Sequence, residues 1–171
     1  MTITLTKAPR IELKNIKHTA WASEETHCYQ ATLYVDGERW GAVSNRGHGG
    51  CDNFYGEGGK THEDIAALNT LIGETFPAYA FGDTTDITLK QDLEMVCTDL
   101  VNQWLRDKEF TRAMKSKVLF TKPETQGIWQ VPVKKPQPQW MVLDVMKAKY
   151  PTYTYLADLP VDEAKAIYFG G

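Results

Sequence analysis

One feature constrains this chain more than any other: residues 28–43 spell a β-hairpin. Cys28-Tyr-Gln-Ala-Thr-Leu-Tyr-Val35 is rich in β-branched and aromatic residues, Asp36-Gly37 tolerates φ above zero at both positions, and Glu38-Arg-Trp-Gly-Ala-Val43 runs back. A two-residue Asp-Gly loop selects a type I′ turn, whose twist matches that of its flanking strands. If Ala31 to Val35 pair with Glu38 to Ala42, then His27 and Cys28 leave the ribbon at the same end as residues 44–48. Two polar segments distant in sequence are thus predicted to be neighbours.

The hairpin is followed by a break in composition. Eight of the 13 glycines fall between Gly37 and Gly59, and the density in Ser44–Gly59 predicts a loop. Before the hairpin, residues 10–21 alternate apolar and polar well enough at Ile11 and Leu13 to read as a strand with one wet face. After the glycines, Thr61-His-Glu-Asp64 resembles a capping box, and Ile65, Leu68 and Leu71/Ile72 continue at helical spacing to an end near Phe76-Pro77.

Asp83–Leu89 reads as a cap-rich lead-in to the strongest helix. Leu93, Val96, Cys97, Leu100, Val101, Trp104 and Leu105 form one wide apolar stripe, which places Cys97 in the core. The same helix is expected to continue toward Phe110 and Met114, with Arg106, Lys108, Arg112, Lys115 and Lys117 gathered near its carboxyl end. A second hairpin follows, Lys117–Lys122 and Ile128–Val133, and Pro132 confines its second strand to an edge. Beyond the connector Lys134–Pro138 come a helix with Trp140, Leu143, Met146 and Tyr150 inward, a short strand in Thr152–Leu156, and a last helix with Ala164, Ile167 and Tyr168 inside. Trp21, Trp40 and Trp129 are also expected in the core. Strands and helices segregate along the chain. The fold class predicted is therefore α+β, an antiparallel β-hairpin layer packed by helices with a C-terminal ββαβα portion. A single domain over 1–171 is expected, with sub-lobes 1–82 and 83–171.

Composition narrows the function classes. At 171 residues and 42% hydrophobic the chain can bury a core, which excludes a disordered tail. Nineteen Lys+Arg against 22 Asp+Glu give a formal charge of −3, so no global field draws in nucleic acid or an anionic membrane. No apolar run approaches the roughly 20 residues of a membrane span, and Met1–Lys7 has no signal-peptide character. Three cysteines, Cys28, Cys51 and Cys97, are sparse and odd in number, as expected for thiols or ligands in a cytoplasmic protein, and no structural disulfide is expected.

The chemistry-bearing residues concentrate in Glu24–Asn53. His27, Cys28, His48 and Cys51 are two imidazoles and two thiols, a zinc-type ligand set, but adjacent strand residues face opposite ways and the paired-cysteine spacing of strong zinc motifs is missing. No metal and no cofactor is expected. A second reading is anion capture. Glycines 47, 49 and 50 let backbone amides converge, Arg46 and His48 supply charge, Ser44, Asn45 and Asp52 orient, and Phe54 and Tyr55 stack, with Glu24 and His27 alongside. The alternative is a surface loop tied by Asx turns. A third reading is acid/base or nucleophilic catalysis by His48 or His27 with Glu24, Glu25, Asp52 or Cys51. His18 and His62 read as surface or capping residues. The basic helix end, residues 106–117, is a candidate nucleic-acid contact, set against the dipole preference for cations there and the diluting Asp107 and Glu109.

The runs Ala22–Gly37 and Val43–Asp52, with the closing Leu156–Ala164, resemble a group of uncharacterised proteins carried by phages, prophages and other mobile elements in bacteria. The resemblance implies a setting in bacterial host cytoplasm and brings no catalytic residue with it. The expectation is an accessory binding protein, an inhibitor countering host defence or a sequestering protein. It would recognise a host protein or a small anionic, nucleotide-like ligand through the Gly/His-rich loop, as a monomer or a homo-oligomer. The alternatives are a nucleotide or phosphodiester hydrolase or transferase using the same loop, and nucleic-acid binding through 106–117.

Overall fold

The computed structural model of the chain describes residues 7–80 and 88–170. The chain divides into two compact units, Met1–Gln103 and Trp104–Gly171.

The first unit is built on the predicted ribbon. Strands β1 (Ile11–His18), β2 (Cys28–Val35), β3 (Glu38–Arg46) and β4 (Asn53–Gly56) form one antiparallel sheet in sequence order. Asp36 and Gly37 take φ of 51° and 85°, both left-handed, as the type I′ turn requires. The hairpin runs further than its apolar pattern suggested. Pairing continues to Cys28 opposite Arg46, and Asn53–Gly56, expected as loop, adds a fourth strand along β3. The glycines in that region allow backbones to touch: a Cβ on Gly41 would lie 2.0 Å from the Tyr55 carbonyl oxygen.

Alternation gives the sheet one dry face. Tyr29, Ala31, Leu33 and Val35 of β2 and Val43 and Asn45 of β3 are buried, while Gln30 between them is exposed. Helix α1 (His62–Thr75) begins at the predicted capping box, with Thr61 N–H donating to Asp64 Oδ2 at 2.7 Å and Asp64 N–H to Thr61 Oγ1 at 3.4 Å. Two short strands, β5 (Tyr79–Ala80) and β6 (Thr88–Leu89), pair with each other. Helix α2 (Leu93–Ser116) starts later than the sequence suggested, because its cap is Asp92, whose Oδ1 accepts Met95 N–H at 2.8 Å. Within the predicted lead-in, 83–87 lie outside the described residues and Thr88–Leu89 is strand. Asn69 Oδ1 on α1 accepts Leu93 N–H at 2.8 Å. The buried apolar residues of this unit include Leu33, Ile72, Leu93, Cys97 and Val101. Each large aliphatic side chain among them contributes about 1.5–3 kcal/mol by leaving water.

The second unit follows the predicted ββαβα order: β7 (Lys117–Thr121), β8 (Trp129–Pro132), α3 (Gln139–Lys149), β9 (Thr154–Tyr155) and α4 (Val161–Gly170). Its sheet order is β8-β7-β9, which puts Pro132 on an edge. Phe110 and Ala113 of α2 pack with Leu119, Leu156 and Ala164, and Val118, Phe120 and Tyr155 gather Val142, Leu143 and Met146 of α3. The aromatic expectations need correction. Trp140 is 62% exposed, since the stripe of α3 that meets the narrow sheet is Val142, Leu143 and Met146; Trp21 is 88% exposed in the 3-10 turn Ala20–Ala22. Trp129 lies exposed on the edge strand beneath the Lys122 ammonium, and Trp40 is half-buried under Lys60. Among the described residues no helix is long and apolar enough to cross a membrane.

Candidate functional site

The hairpin register sets Tyr29 opposite Asn45, both on the buried face at the open end of the ribbon. Past Arg46 the chain turns at Gly47, with φ of 87°, and its carbonyl accepts the amides of Glu24, Glu25 and Thr26 at 2.9, 3.0 and 3.4 Å. The two polar segments are therefore neighbours, as the turn predicted.

Asn45 organises the rest. Its Oδ1 accepts Gly47 N–H at 2.8 Å and Thr26 O–H at 2.9 Å; its Nδ2 donates to Gly50 O and Asp52 Oδ1, both at 2.9 Å. At 6% exposure the amide is fully satisfied. The other oxygen of Asp52 accepts the Tyr29 hydroxyl. This is the Asx-tied loop in an ordered form, and four of its residues hold one another through a single side chain.

The electrostatics follow from burial. Asp52 is held above the ordinary carboxyl range by desolvation, against the downward pull of its bonds from Tyr29 and Asn45. The Tyr29 phenol is pushed up by burial first and then by the neighbouring Cys97 and Asp52. Glu94, at the start of α2, is also raised, by desolvation and then by the Asp52 charge, although it accepts bonds from the Asp52 amide and the Cys51 thiol. Burial raises the Cys97 thiol too, which leaves it inert in the core.

Tyr29, Asp52 and Glu94 stand in the wall of an open cleft of about 490 Å³. Four carboxylate residues line it, Glu24, Glu25, Asp52 and Glu94, with two histidines, His18 and His27, and among the described residues no Lys or Arg. Both rings are oriented. His27 Nε2 lies 2.7 Å from Asn102 Oδ1, which places a proton on that nitrogen. Ser23 gives its one hydroxyl proton to the Thr19 carbonyl at 2.9 Å, so His18 Nε2, at 3.2 Å, donates to Ser23 Oγ. The two rings meet edge to face at 5.3 Å.

Of the residues singled out from sequence, the cleft gathers Glu24, Glu25, His27, Asn45 and Asp52. His48 is exposed beside it with Nδ1 donating to Glu24 Oε2 at 3.1 Å, and the Gly49 amide reaches Thr26 Oγ1 at 3.4 Å. The remainder are elsewhere. Ser44 and Tyr55 line a groove on the other face of the sheet, Phe54 sits opposite Val43 in the register, and exposed Arg46, one step past Asn45, belongs to the face away from the cleft. Arg46 and His48 thus do not converge on one anion. Cys28 and His27 alternate faces, Cys51 is spent on Glu94, and among the described residues no group of three His, Cys, Asp or Glu side chains is placed to hold a metal ion.

Sequence reasoning passed over the α2 contribution. Glu94, Thr98 and Asn102 recur at i, i+4 and i+8, a polar stripe immediately beside buried Leu93, Cys97 and Val101. That periodicity was the available signal. The chain matches no family model, no curated protein and no solved structure.

Proposed function

We propose that this chain is a binding protein whose first unit captures a cationic group of a polar partner. The observation that carries the reading is the cleft itself: four carboxylates line it and, among the described residues, no Lys or Arg does, and the Asn45 network fixes the Asp52 wall. An ammonium or guanidinium entering it would gain charge-assisted hydrogen bonds without waiting for the loop to order. Trp21, adjacent to the lining residue Ala20, offers an exposed indole at the rim, the kind of side chain that anchors interfaces and attracts cations. The sign of the ligand is opposite to that expected from Arg46 and His48, because only His48 lies beside the cleft and Glu24 already pairs with it. The resemblance to phage and mobile-element proteins supports a setting in which the partner is a basic segment of host machinery.

Titration calorimetry tests this with a short Arg/Lys-rich peptide and an acidic peptide of equal length. The basic peptide should bind, and Glu24→Gln with Glu25→Gln should weaken it at least tenfold at unchanged melting temperature. A preference for the acidic peptide or for a nucleotide, or indifference to both substitutions, rejects the assignment.

A further inference from the structure

We infer that the outer face of α2 in the second unit is a binding strip for single-stranded nucleic acid. Lys108, Arg112 and Lys115 follow Trp104 at i+4, i+8 and i+11, so all four project from one side of the helix. The three cations span about 10 Å along the axis.

Two acids stand among them in the sequence, and both have partners on α4. Lys165 Nζ lies 2.6 Å from Asp107 Oδ1, and the Tyr168 hydroxyl donates to Glu109 Oε1 at 3.2 Å. Arg106 is turned the same way, its guanidinium 5.0 Å from the Phe169 ring centre. What remains on the outer face is net positive: among the described residues no carboxylate pairs with Lys108, Arg112 or Lys115. A shallow groove of about 420 Å³ runs between them, with a largely apolar surface that includes Trp104; Asp107 lines it too, its charge met by Lys165, and the Lys108 ammonium stands 4.2 Å from the indole centre.

Cationic heads over an apolar, aromatic floor suit one kind of polymer best. A single strand brings phosphates to the heads and unpaired bases or sugars to the indole and the aliphatic stems. An acidic peptide supplies the charge with nothing flat to cover the floor, and a duplex keeps its bases stacked inside. With a chain charge of −3 the attraction is local, so the salt dependence reports only a few phosphates.

The test is fluorescence anisotropy of the full chain with a labelled oligothymidylate, its duplex and polyglutamate as competitor, over a salt series. The single strand should bind with a log–log salt slope of about −2, as three phosphate contacts give. Lys108→Gln with Arg112→Gln and Lys115→Gln, all exposed, should cost at least tenfold and flatten that slope. Trp104→Leu should weaken binding by about tenfold and Trp104→Tyr should restore most of it. Equal binding of the duplex, displacement by polyglutamate, or a triple variant that binds like the parent each overturns the inference. The cleft of the first unit has no part in it.

Discussion

The Tyr29 hydroxyl donates to Oδ2 of Asp52, joining the open end of the ribbon's dry face to the far end of the glycine loop. Tyr29→Phe keeps the ring and deletes only this donor. Asp52 then loses one of the two side-chain bonds that hold its pKa down against burial, and its carboxyl rises further. A raised folded-state value means stability that is complete at low pH and lost as pH rises through it. The substitution should cost about 1.5–3 kcal/mol near pH 7, where the bond is made to a charged group, and clearly less near pH 4. Urea unfolding at the two pH values checks this. An equal loss at both would show that the bond does not favour the charged form.

Two glycines three residues apart answer differently to the same change. Gly47 holds φ of 87°, and a Cβ there would lie 2.0 Å from the Ala22 carbonyl oxygen; around Gly50 nothing stands within 4 Å. Gly47→Ala should cost about 3 kcal/mol, through backbone strain and displacement of the carbonyl that takes three amides. Gly50→Ala should stay within about 0.5 kcal/mol. Thermal melts of the pair decide it, and similar melting temperatures would mean that the loop is not built around Gly47.

The same contrast explains what the sequence could and could not disclose. Asp36-Gly37 fixes a local geometry, so the turn, the ribbon and the meeting of Glu24–Thr26 with Gly47 were legible from a few residues. The ββαβα order was legible for the same reason, since periodicity and turn chemistry are local. The face each loop residue occupies was not, because it depends on how far the β3 ladder runs: extension to Arg46 sends Asn45 inward and Arg46 outward. Nor was the acidic character of the cleft, to which α2 adds Glu94, some 40 residues further along. Trp21, Trp129 and Trp140 mislead because an indole's burial is decided by whether another element covers it, which composition cannot show.

In the second unit a single amide closes a helix end. Gln139 Nε2 donates to the Met114 carbonyl and to Lys117 O, the latter at 2.8 Å. Met114 is in the last turn of α2, where carbonyls have no partner within the helix. Gln139→Ala should therefore cost about 2 kcal/mol. Gln139→Glu, which faces two carbonyl oxygens with a carboxylate, should be at least as damaging near pH 7 and should recover toward acid pH. Denaturation midpoints measure both, and a harmless Glu variant would remove the proposed role.

Glu94 offers the cleanest reading of the cleft's charge. Its carboxyl is raised by desolvation and then by Asp52, so the folded state binds its proton more tightly than the unfolded chain does. The resulting stability is present below the ordinary carboxyl range, about pH 4, and declines as pH climbs through the folded value. Other groups run the other way: Asp64 is lowered by its bonds to Thr61, and its contribution is lost on acidification. The comparison must therefore be between proteins and not along one curve. Glu94→Gln keeps an oxygen for the Asp52 amide and carries no charge, so its stability relative to the parent should improve steadily from about pH 4 to about pH 7. Urea midpoints at three pH values give that difference directly. A difference that is flat, or that falls, would mean that Glu94 is not disfavoured as an anion and that the cleft is less charge-strained than its four carboxylates imply.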